Sequence, residues 1–308
     1  MIWTPFPVAL AAVVLLGACG DDKQAASDTS PASVAVTTPV VESSTTSMLP
    51  VLGKIVSLSP TATEMLFAIG AGDQVLAVDD QSNYPPEALQ KPHDLSGFEP
   101  NVEAIAGLKP DLVVIADDFT GLTKQLEALG LTVWSGPAAT TFDNVYEQIE
   151  QLGAVTGHVG DAAALVLKMQ TDIAAAVKDA PKPAQPLTYF HELDNTYYSI
   201  TENTFIGQVY SLFGLQNIAD LQEVDSDYPQ LSAEAVISAN PDFIFLADGG
   251  FGESPETVAA RPGWGSLKAV TNGNVVVVDG DISSRWGPRI VDYIKAVSAA
   301  VAKVAVSG

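Results

Sequence analysis

A long stretch without glycine or proline lies in the middle of the chain and predicts an α-helix from Asp161 to Lys178. Apolar residues recur along one side of it, at Leu165, Val166, Met169, Ile173, Ala176 and Val177. Glycines precede the stretch and prolines follow it, so both ends carry residues that do not continue a helix. At about 1.5 Å per residue this helix spans roughly 27 Å, the width of a small domain. We therefore predict one helix that connects two domains.

The sequences on the two sides of this helix repeat each other. The upstream copy begins at Glu103 and continues through a Pro-Asp pair and an apolar strand to Asp117. The downstream copy begins at Glu234 and carries the same features, at one constant offset, to Asp248. Several features aligned at one offset indicate two α/β lobes built alike.

Short apolar runs bounded by turn residues predict strands at 54–58, 74–78 and 131–134 and, after the long helix, at 187–191, 241–247 and 274–278. Helices are expected after residues that favour the N-cap, namely Ser59, Asn101, Thr141, Thr204 and Ser232. A last helix is predicted from Pro288 through Val301. The fold class is therefore α/β, with two lobes that each contain a central sheet.

The N-terminal segment has the pattern of a lipoprotein signal peptide. Residues 8–18 form an apolar run that is too short for a stable membrane span, and the run ends in Leu-Gly-Ala-Cys19, which resembles a bacterial lipobox. Cys19 is the only cysteine, which excludes an internal disulfide and a thiolate zinc site. No Lys or Arg precedes the apolar run, so the true start codon stays open.

Composition favours a folded protein, and a predicted tether behind the lipid anchor favours a location outside the cytoplasm. Of the 308 residues 47% are hydrophobic and 17% are charged, which excludes disorder of the whole chain. The formal net charge of −23 argues against nucleic acid and anionic lipid as partners. Residues 19–53 are rich in Ser, Thr, Ala and Pro and predict a flexible tether behind a lipid on Cys19. That anchor implies the outer face of a bacterial cytoplasmic membrane.

Several segments resemble one family in order along the chain. Residues 55–64, Ile-Val-Ser-Leu-Ser-Pro-Thr-Ala-Thr-Glu, are followed by Ser-Asn-Tyr-Pro-Pro at 82–86, Asn-Val-Glu at 101–103 and Leu-Lys-Pro-Asp-Leu-Val-Val at 108–114. Together they resemble the helical-backbone substrate-binding lipoproteins of iron and vitamin B12 importers, and most closely the branch that binds cobalamin. The resemblance covers almost everything after residue 53.

That resemblance implies a class III periplasmic-binding-protein fold. The expected division is a lipoprotein signal peptide at 1–18, a tether at 19–53, an N-terminal lobe at 54–157, an interlobe backbone helix at 158–180 and a C-terminal lobe at 181–308. A ligand should bind between the lobes, because ligands of open α/β sheets bind beyond the carboxyl ends of the strands.

Aromatic and polar residues on the loops that leave predicted strands are the candidates for this cleft. They are Tyr84, Phe98, Phe119, His191, Tyr197, Tyr198, Arg285 and Trp286. For each aromatic residue, packing beneath its loop remains the alternative. His191 is a candidate axial ligand for haem iron or a donor to another ligand, against the alternative of a hydrogen-bonded residue on the rim. In the cobalamin-binding branch, tryptophans stand near the positions of Phe98 and Phe119, so the ligand stays open.

No catalytic motif, metal-ligand cluster or cofactor-binding loop emerges from the sequence. We therefore expect a solute receptor of an ABC importer that takes a corrinoid first, a ferric siderophore second and haem third. An extracytoplasmic enzyme and an anchored adhesion or sensor module are the other hypotheses.

The duplicated glutamates Glu103 and Glu234 are candidates for contact with an importer. Each stands in the first turn of a predicted helix, where a carboxylate is favoured by the helix dipole alone. Their recurrence in both lobes, together with the resemblance, predicts that they dock on a permease dimer that works with an ATPase. The partner permease and the oligomeric state cannot be read from the sequence.

Overall fold

The structure is a computed structural model, and it describes residues 51–118, 120–181, 185–222 and 225–307. The described residues form two parallel sheets of four strands each. The first sheet has the order β2-β1-β3-β4 and the second the order β6-β5-β7-β8. In chain order the strands are β1 Ile55–Leu58, β2 Val75–Val78, β3 Leu112–Ile115, β4 Val133–Ser135, β5 Thr188–Glu192, β6 Gln216–Asn217, β7 Phe243–Leu246 and β8 Val275–Val277.

Helices connect these strands, as parallel pairing requires a crossover between neighbours. They are α1 Pro60–Ala68, α2 Val102–Gly107, α3 Leu122–Ala128, α4 Phe142–Thr156, α5 Val159–Asp179, α6 Phe205–Ser211, α7 Ala233–Ala239, α8 Pro255–Ala260, α9 Lys268–Thr271, α10 Gly280–Ser284 and α11 Ile290–Ser307. None of the helices in the described ranges is long and apolar enough to cross a membrane. The predicted fold class, two α/β lobes with central sheets, is confirmed.

Helix α5 is the long helix that the sequence predicts, and it extends slightly beyond Asp161 and Lys178 at both ends. It packs against α4 of the first lobe and α11 of the second. Its buried residues are Ala162, Val166, Met169 and Ile173. The Ser298 hydroxyl of α11 also donates to the carbonyl of Ala176, at 2.9 Å. The helix therefore contacts both lobes along its length.

The sequence repeat corresponds to equivalent elements of the two lobes. Helix α2 leads into β3, and α7 leads into β7, which are the third strands of their sheets. The repeated Asp has the same role in both copies. The Asp111 carboxylate accepts from the Gly53 amide at 3.3 Å, and the Asp242 carboxylate accepts from the Thr188 amide at 2.9 Å. Each aspartate thus ties the start of its strand to the strand beside it.

All five predicted N-cap residues cap a helix through their side chains. The short helices α3, α9 and α10 and the two-residue strand β6 were not predicted. The sequence predicted a loop after β8, but helix α10 follows that strand. The helix forms here because the Asp279 carboxylate accepts from the amides of Asp281 and Ile282 and caps its first turn. The last helix begins at Ile290, shortly after the predicted Pro288.

Candidate functional site

The two lobes are joined across their cleft by one carboxylate and two guanidinium groups. Glu64 of α1, only 3% exposed, accepts from Arg285 at 2.9 Å and from Nε of Arg289 at 2.8 Å. Both arginines belong to the second lobe, where they lie in the short link between α10 and α11. Pairing with Glu64 raises the pKa of Arg289 above its ordinary value. Charge-assisted hydrogen bonds of this kind are among the strongest that proteins form.

Residues of the loop after β2 extend this network. The Asn83 side chain donates to Asp281 at 2.7 Å and accepts from Arg285 at 2.8 Å. The ring of Tyr84 lies beneath the Arg289 guanidinium, with 4.1 Å between the guanidinium carbon and the ring centroid. That distance is within the range of a cation–π contact. The loop after β2 therefore contacts the second lobe through both polar and aromatic side chains.

Local sequence positions these groups. Ser59 caps α1 and Pro60 stands at its first turn, so the helix begins at the carboxyl end of β1 and carries Glu64 towards the other lobe. In the second lobe α10 brings Asp281 and Arg285 into the cleft, and the short link to α11 places Trp286 and Arg289. Trp286 donates from Nε1 to the Gln148 side chain of the first lobe at 3.0 Å.

A cavity of about 480 Å³ lies at the carboxyl ends of β1, β2 and β3, on one side of the Glu64 network. This volume is in the range of small-molecule binding sites. Loops of both lobes line it, with Leu58, Ser59, Asp79, Phe98, Ile115, Asp117, Asp281, Arg285 and Trp286 among the lining residues. The cavity therefore occupies the position that the topology of the sheets predicts for a ligand.

Carboxylates are prominent in the wall of this cavity. Asp79 is 1% exposed, and its Oδ2 atom has no hydrogen-bond partner among the described residues. Burial raises the pKa of Asp79, although hydrogen bonds from Ser82 and from the Gln81 amide oppose that effect. Asp117 is half-buried, and Asp281 is bound to Asn83 and Arg285.

A second opening, a groove of about 800 Å³, lies on the other side of the Glu64 network. Helix α1, the segment from Tyr84 to Lys91 and the start of α11 form its walls. Glu64 and Arg289 line this groove, whereas Arg285 lines the cavity. The interlobe ion pairs therefore separate the cavity from the groove.

The structure brings three of the candidate residues to the cavity. Phe98, Arg285 and Trp286 line it, and Phe98 is 76% exposed. Tyr84 lines the groove instead and is held against Arg289. Phe119 lies outside the described residues.

His191 does not lie on the rim of the cleft, and this corrects the expectation from its place at a strand exit. The residue belongs to β5, is 0% exposed, and its Nδ1 is 2.8 Å from the Tyr210 hydroxyl. Burial lowers the pKa of His191 to about 3. The ring therefore cannot reach a ligand in the cavity as the lobe is packed here. Within the described residues no group of three or more His, Cys, Asp or Glu side chains could hold a metal ion.

Tyr197 and Tyr198 lie on the loop after β5 but line neither opening. Tyr197 stacks on Trp264, with 5.4 Å between ring centroids, and the Arg261 guanidinium lies over both rings. Tyr198 is 41% exposed. The structure therefore places Tyr197 in the packing of the second lobe and leaves Tyr198 on its surface.

Other residues at this end of the lobes were missed as candidates. Glu64 and Asn83 belong to the segments 55–64 and 82–86 that resemble the family. Nothing in the local sequence of either residue indicates that it binds an arginine of the other lobe. Phe251 follows β7 and is 94% exposed. The sequence repeat could have indicated Phe251. The two copies are 131 residues apart, and the position 131 residues after Phe119 is residue 250, next to Phe251.

Glu103 and Glu234 occupy equivalent, exposed positions in the first turns of α2 and α7. The N-cap side chains of Asn101 and Ser232 accept from backbone amides at 3.0 and 3.1 Å. Neither glutamate lines the cavity or the groove. They are thus available to a partner that contacts both lobes.

Comparison with known proteins agrees with this architecture. Residues 55–282 match the model of a family described as periplasmic binding protein. An uncharacterized ABC transporter substrate-binding lipoprotein, YvrC of Bacillus subtilis, is 31% identical over 80% of this chain and 79% of its own length. A cobalamin-binding protein of Halobacterium salinarum is 34% identical over 78% of this chain and 66% of its own length.

A solved structure gives the same result. The periplasmic vitamin B12 binding protein BtuF of Vibrio cholerae superposes with a TM-score of 0.69 at 28% identity, over 83% of this chain and 99% of that one. With its two parallel-sheet lobes, the interlobe cavity and these matches, the chain belongs to the periplasmic binding protein family.

Proposed function

We propose that this protein is the extracytoplasmic solute-binding component of an ABC importer and that its ligand is a corrinoid. The observation that carries the proposal is the cavity between two lobes whose sheets present the carboxyl ends of their strands, in a member of this family. Binding and release, rather than turnover of a substrate, is the role that this arrangement supports.

The choice of a corrinoid rests on the aromatic side chains and on the relatives. Phe98 and Trp286 offer apolar surfaces from the two lobes, which suit a large ligand with extended faces. Two of the similar proteins are named for binding cobalamin or vitamin B12. A ferric siderophore is the second candidate for the same transport role. Haem ranks third, because His191 is enclosed in the second lobe and is not available as an axial ligand.

The partners in this proposal are a permease dimer and its ATPase. A two-fold permease contacted by a bilobed receptor needs one contact on each lobe. Glu103 and Glu234 supply one carboxylate per lobe, each in the first turn of a capped helix. An arginine on each permease subunit is the complementary group. We further propose that a lipid on Cys19 anchors the receptor to the outer face of the cytoplasmic membrane, with residues 19–53 as its tether.

The function is tested by titrating purified mature protein with cyanocobalamin, haemin and ferric siderophores, with native mass spectrometry and visible absorption as the readouts. A one-to-one complex with cyanocobalamin that survives dilution is the expected result. Tighter binding of a ferric siderophore would show that the ligand is a siderophore and not a corrinoid, and it would leave the proposed importer role unchanged. Chemical conversion of a bound compound would instead support an extracytoplasmic enzyme.

A further inference from the structure

More acidic than basic residues line the interlobe cavity. Asp79, Asp117 and Asp281 contribute carboxyl groups, and Arg285 is the one cationic residue among the described residues that line it. Asp79 is enclosed beneath Gly97, since a Cβ atom on that glycine would lie 2.9 Å from Asp79 Oδ2. Among the charged residues of the cavity wall, Asp117, Asp281 and Arg285 therefore remain as candidates for direct contact with a ligand.

Arg285 is already neutralised by the protein. Its guanidinium donates to Glu64 at 2.9 Å, to the Asn83 side chain at 2.8 Å and to the Gln81 carbonyl at 3.2 Å. It also lies 3.1 Å from the Asp281 carboxylate, and its side chain is 10% exposed. A guanidinium has five N–H groups, and these partners on both lobes occupy the groups on Nη1 and Nη2. An anionic ligand would have to compete with these partners to bind Nη1 or Nη2 of Arg285.

Asp117 has no such partner. It follows β3, is half-buried in the cavity wall, and forms no hydrogen bond or ion pair with any residue in the described ranges. Neighbouring apolar groups of Leu58 and Ile115 lower the local polarity, which strengthens the field of its carboxylate inside the cavity. A negative group of the ligand placed here would be repelled, and a hydrogen-bond donor would be attracted.

We propose that Asp117 is a specificity-determining residue that makes this cavity select neutral, amide-bearing ligands and reject anionic chelates. This rests on the proposed function and narrows its ligand class. A corrinoid presents carboxamide N–H groups and little net charge, so it satisfies Asp117 without a counter-charge. A polyanionic ferric chelate meets an unpaired carboxylate and an arginine that is already occupied.

The test uses the full mature protein and three compounds: cyanocobalamin, the neutral ferric hydroxamate ferrichrome, and the trianionic ferric enterobactin. Dissociation constants are measured for wild type, Asp117→Asn and Asp117→Lys at low and at high salt. The matched control is Asp118→Asn, because Asp118 is the next carboxylate along the chain, is exposed, and does not line the cavity.

In wild type, the dissociation constant of cyanocobalamin or of ferrichrome should be lower than that of ferric enterobactin by about tenfold or more. The ratio of the two constants measures the selectivity. Asp117→Asn should reduce that ratio by about tenfold, Asp117→Lys should reduce it further, and salt should reduce it in wild type through screening. Asp118→Asn should leave the ratio unchanged. Preference of wild type for the trianion, or a ratio that Asp117→Asn does not change, would overturn this inference and leave the importer role standing. If none of the three compounds binds, the proposed ligand class fails together with this inference.

Discussion

Glu64 of the first lobe and Arg289 of the second lie 225 residues apart in the chain, yet the Arg289 Nε is 2.8 Å from the Glu64 carboxylate. The same carboxylate binds Arg285, so one acidic side chain holds two basic ones across the cleft. The cavity and the groove lie on opposite sides of this network. We therefore expect the network to affect both the stability of the protein and the access of a ligand to the cavity.

Replacing Glu64 with Gln should destabilise the protein by about 3 kcal/mol or more, because the change leaves the largely buried Arg289 guanidinium without a carboxylate and removes one of the two carboxylates that bind Arg285. The measurement is the free energy of unfolding in denaturant. The control is Lys168→Gln, which removes an exposed ion pair with Asp172 on α5 and should cost about 0.5 kcal/mol or less. Equal effects of the two changes would show that the interlobe pair contributes no more than a surface pair.

Replacing Asp248 with Asn should stabilise the protein at neutral pH. Asp248 is 3% exposed, neither of its carboxylate oxygens has a hydrogen-bond partner in the described residues, and burial raises its pKa. The folded state therefore binds this proton more tightly than the unfolded chain, and stability is lost as pH rises from the ordinary aspartate range through the raised pKa. Each unit of pKa shift corresponds to about 1.4 kcal/mol.

Unfolding measured from pH 4 to pH 7 checks this sign. The stability gained in Asp248→Asn should grow with pH. Asp94→Asn, which replaces an exposed carboxylate, is the control. A variant that is less stable than wild type at every pH would show that the Asp248 carboxyl makes a contact that an amide cannot replace.

Replacing Trp286 with Phe should remove much of the fluorescence change on ligand binding, because Trp286 lines the cavity and Trp264 is enclosed in the second lobe. The matched control is Trp134→Phe. Trp134 is also half-buried and also donates to a glutamine side chain, at 3.2 Å, but lines neither opening. If quenching disappears in the control and persists in Trp286→Phe, the ligand lies elsewhere.

Charge reversal at both Glu103 and Glu234 should abolish uptake and leave ligand affinity unchanged, since neither residue lines the cavity. Transport into cells and equilibrium binding are measured on the same variants. Glu256→Lys is the control, because Glu256 is likewise exposed in the first turn of a capped helix, α8, and its reversal has a similar effect on the helix dipole. Full uptake in the double variant would leave both glutamates with a helix-terminal role only.

Replacing Cys19 with Ala should leave the precursor unprocessed by lipoprotein signal peptidase, because the modified side chain is absent. Wild type should partition into detergent, since acyl chains contribute about 0.8 kcal/mol per buried CH₂ group. Mass spectrometry of the mature N-terminus distinguishes the two forms. A cleaved and soluble Cys19→Ala protein would contradict the lipid anchor.

The sequence by itself determined the local elements and their duplication. Ser59, Asn101 and Ser232 cap helices because their side chains accept from amides three residues ahead, which is chemistry contained in a few adjacent residues. The length of α5 follows from a run without helix-breaking residues, and the repeat placed β3 and β7 at matching positions of their sheets. The long helix and the repeat predicted the two lobes, and the resemblance to the family added a ligand-binding cleft between them.

Only the tertiary structure decided which side chains meet. His191 and Phe98 were both expected on loops that leave strands. His191 instead belongs to β5 and is packed against Tyr210, whereas Phe98 lies in the cavity wall, and this difference depends on the tertiary packing around each residue. Arg285 was expected to face a ligand; it lines the cavity, and its guanidinium also binds Glu64 and Asn83. No local pattern indicates the contacts of Arg285, because Glu64 and Asn83 belong to the other lobe and lie about 200 residues away in the chain.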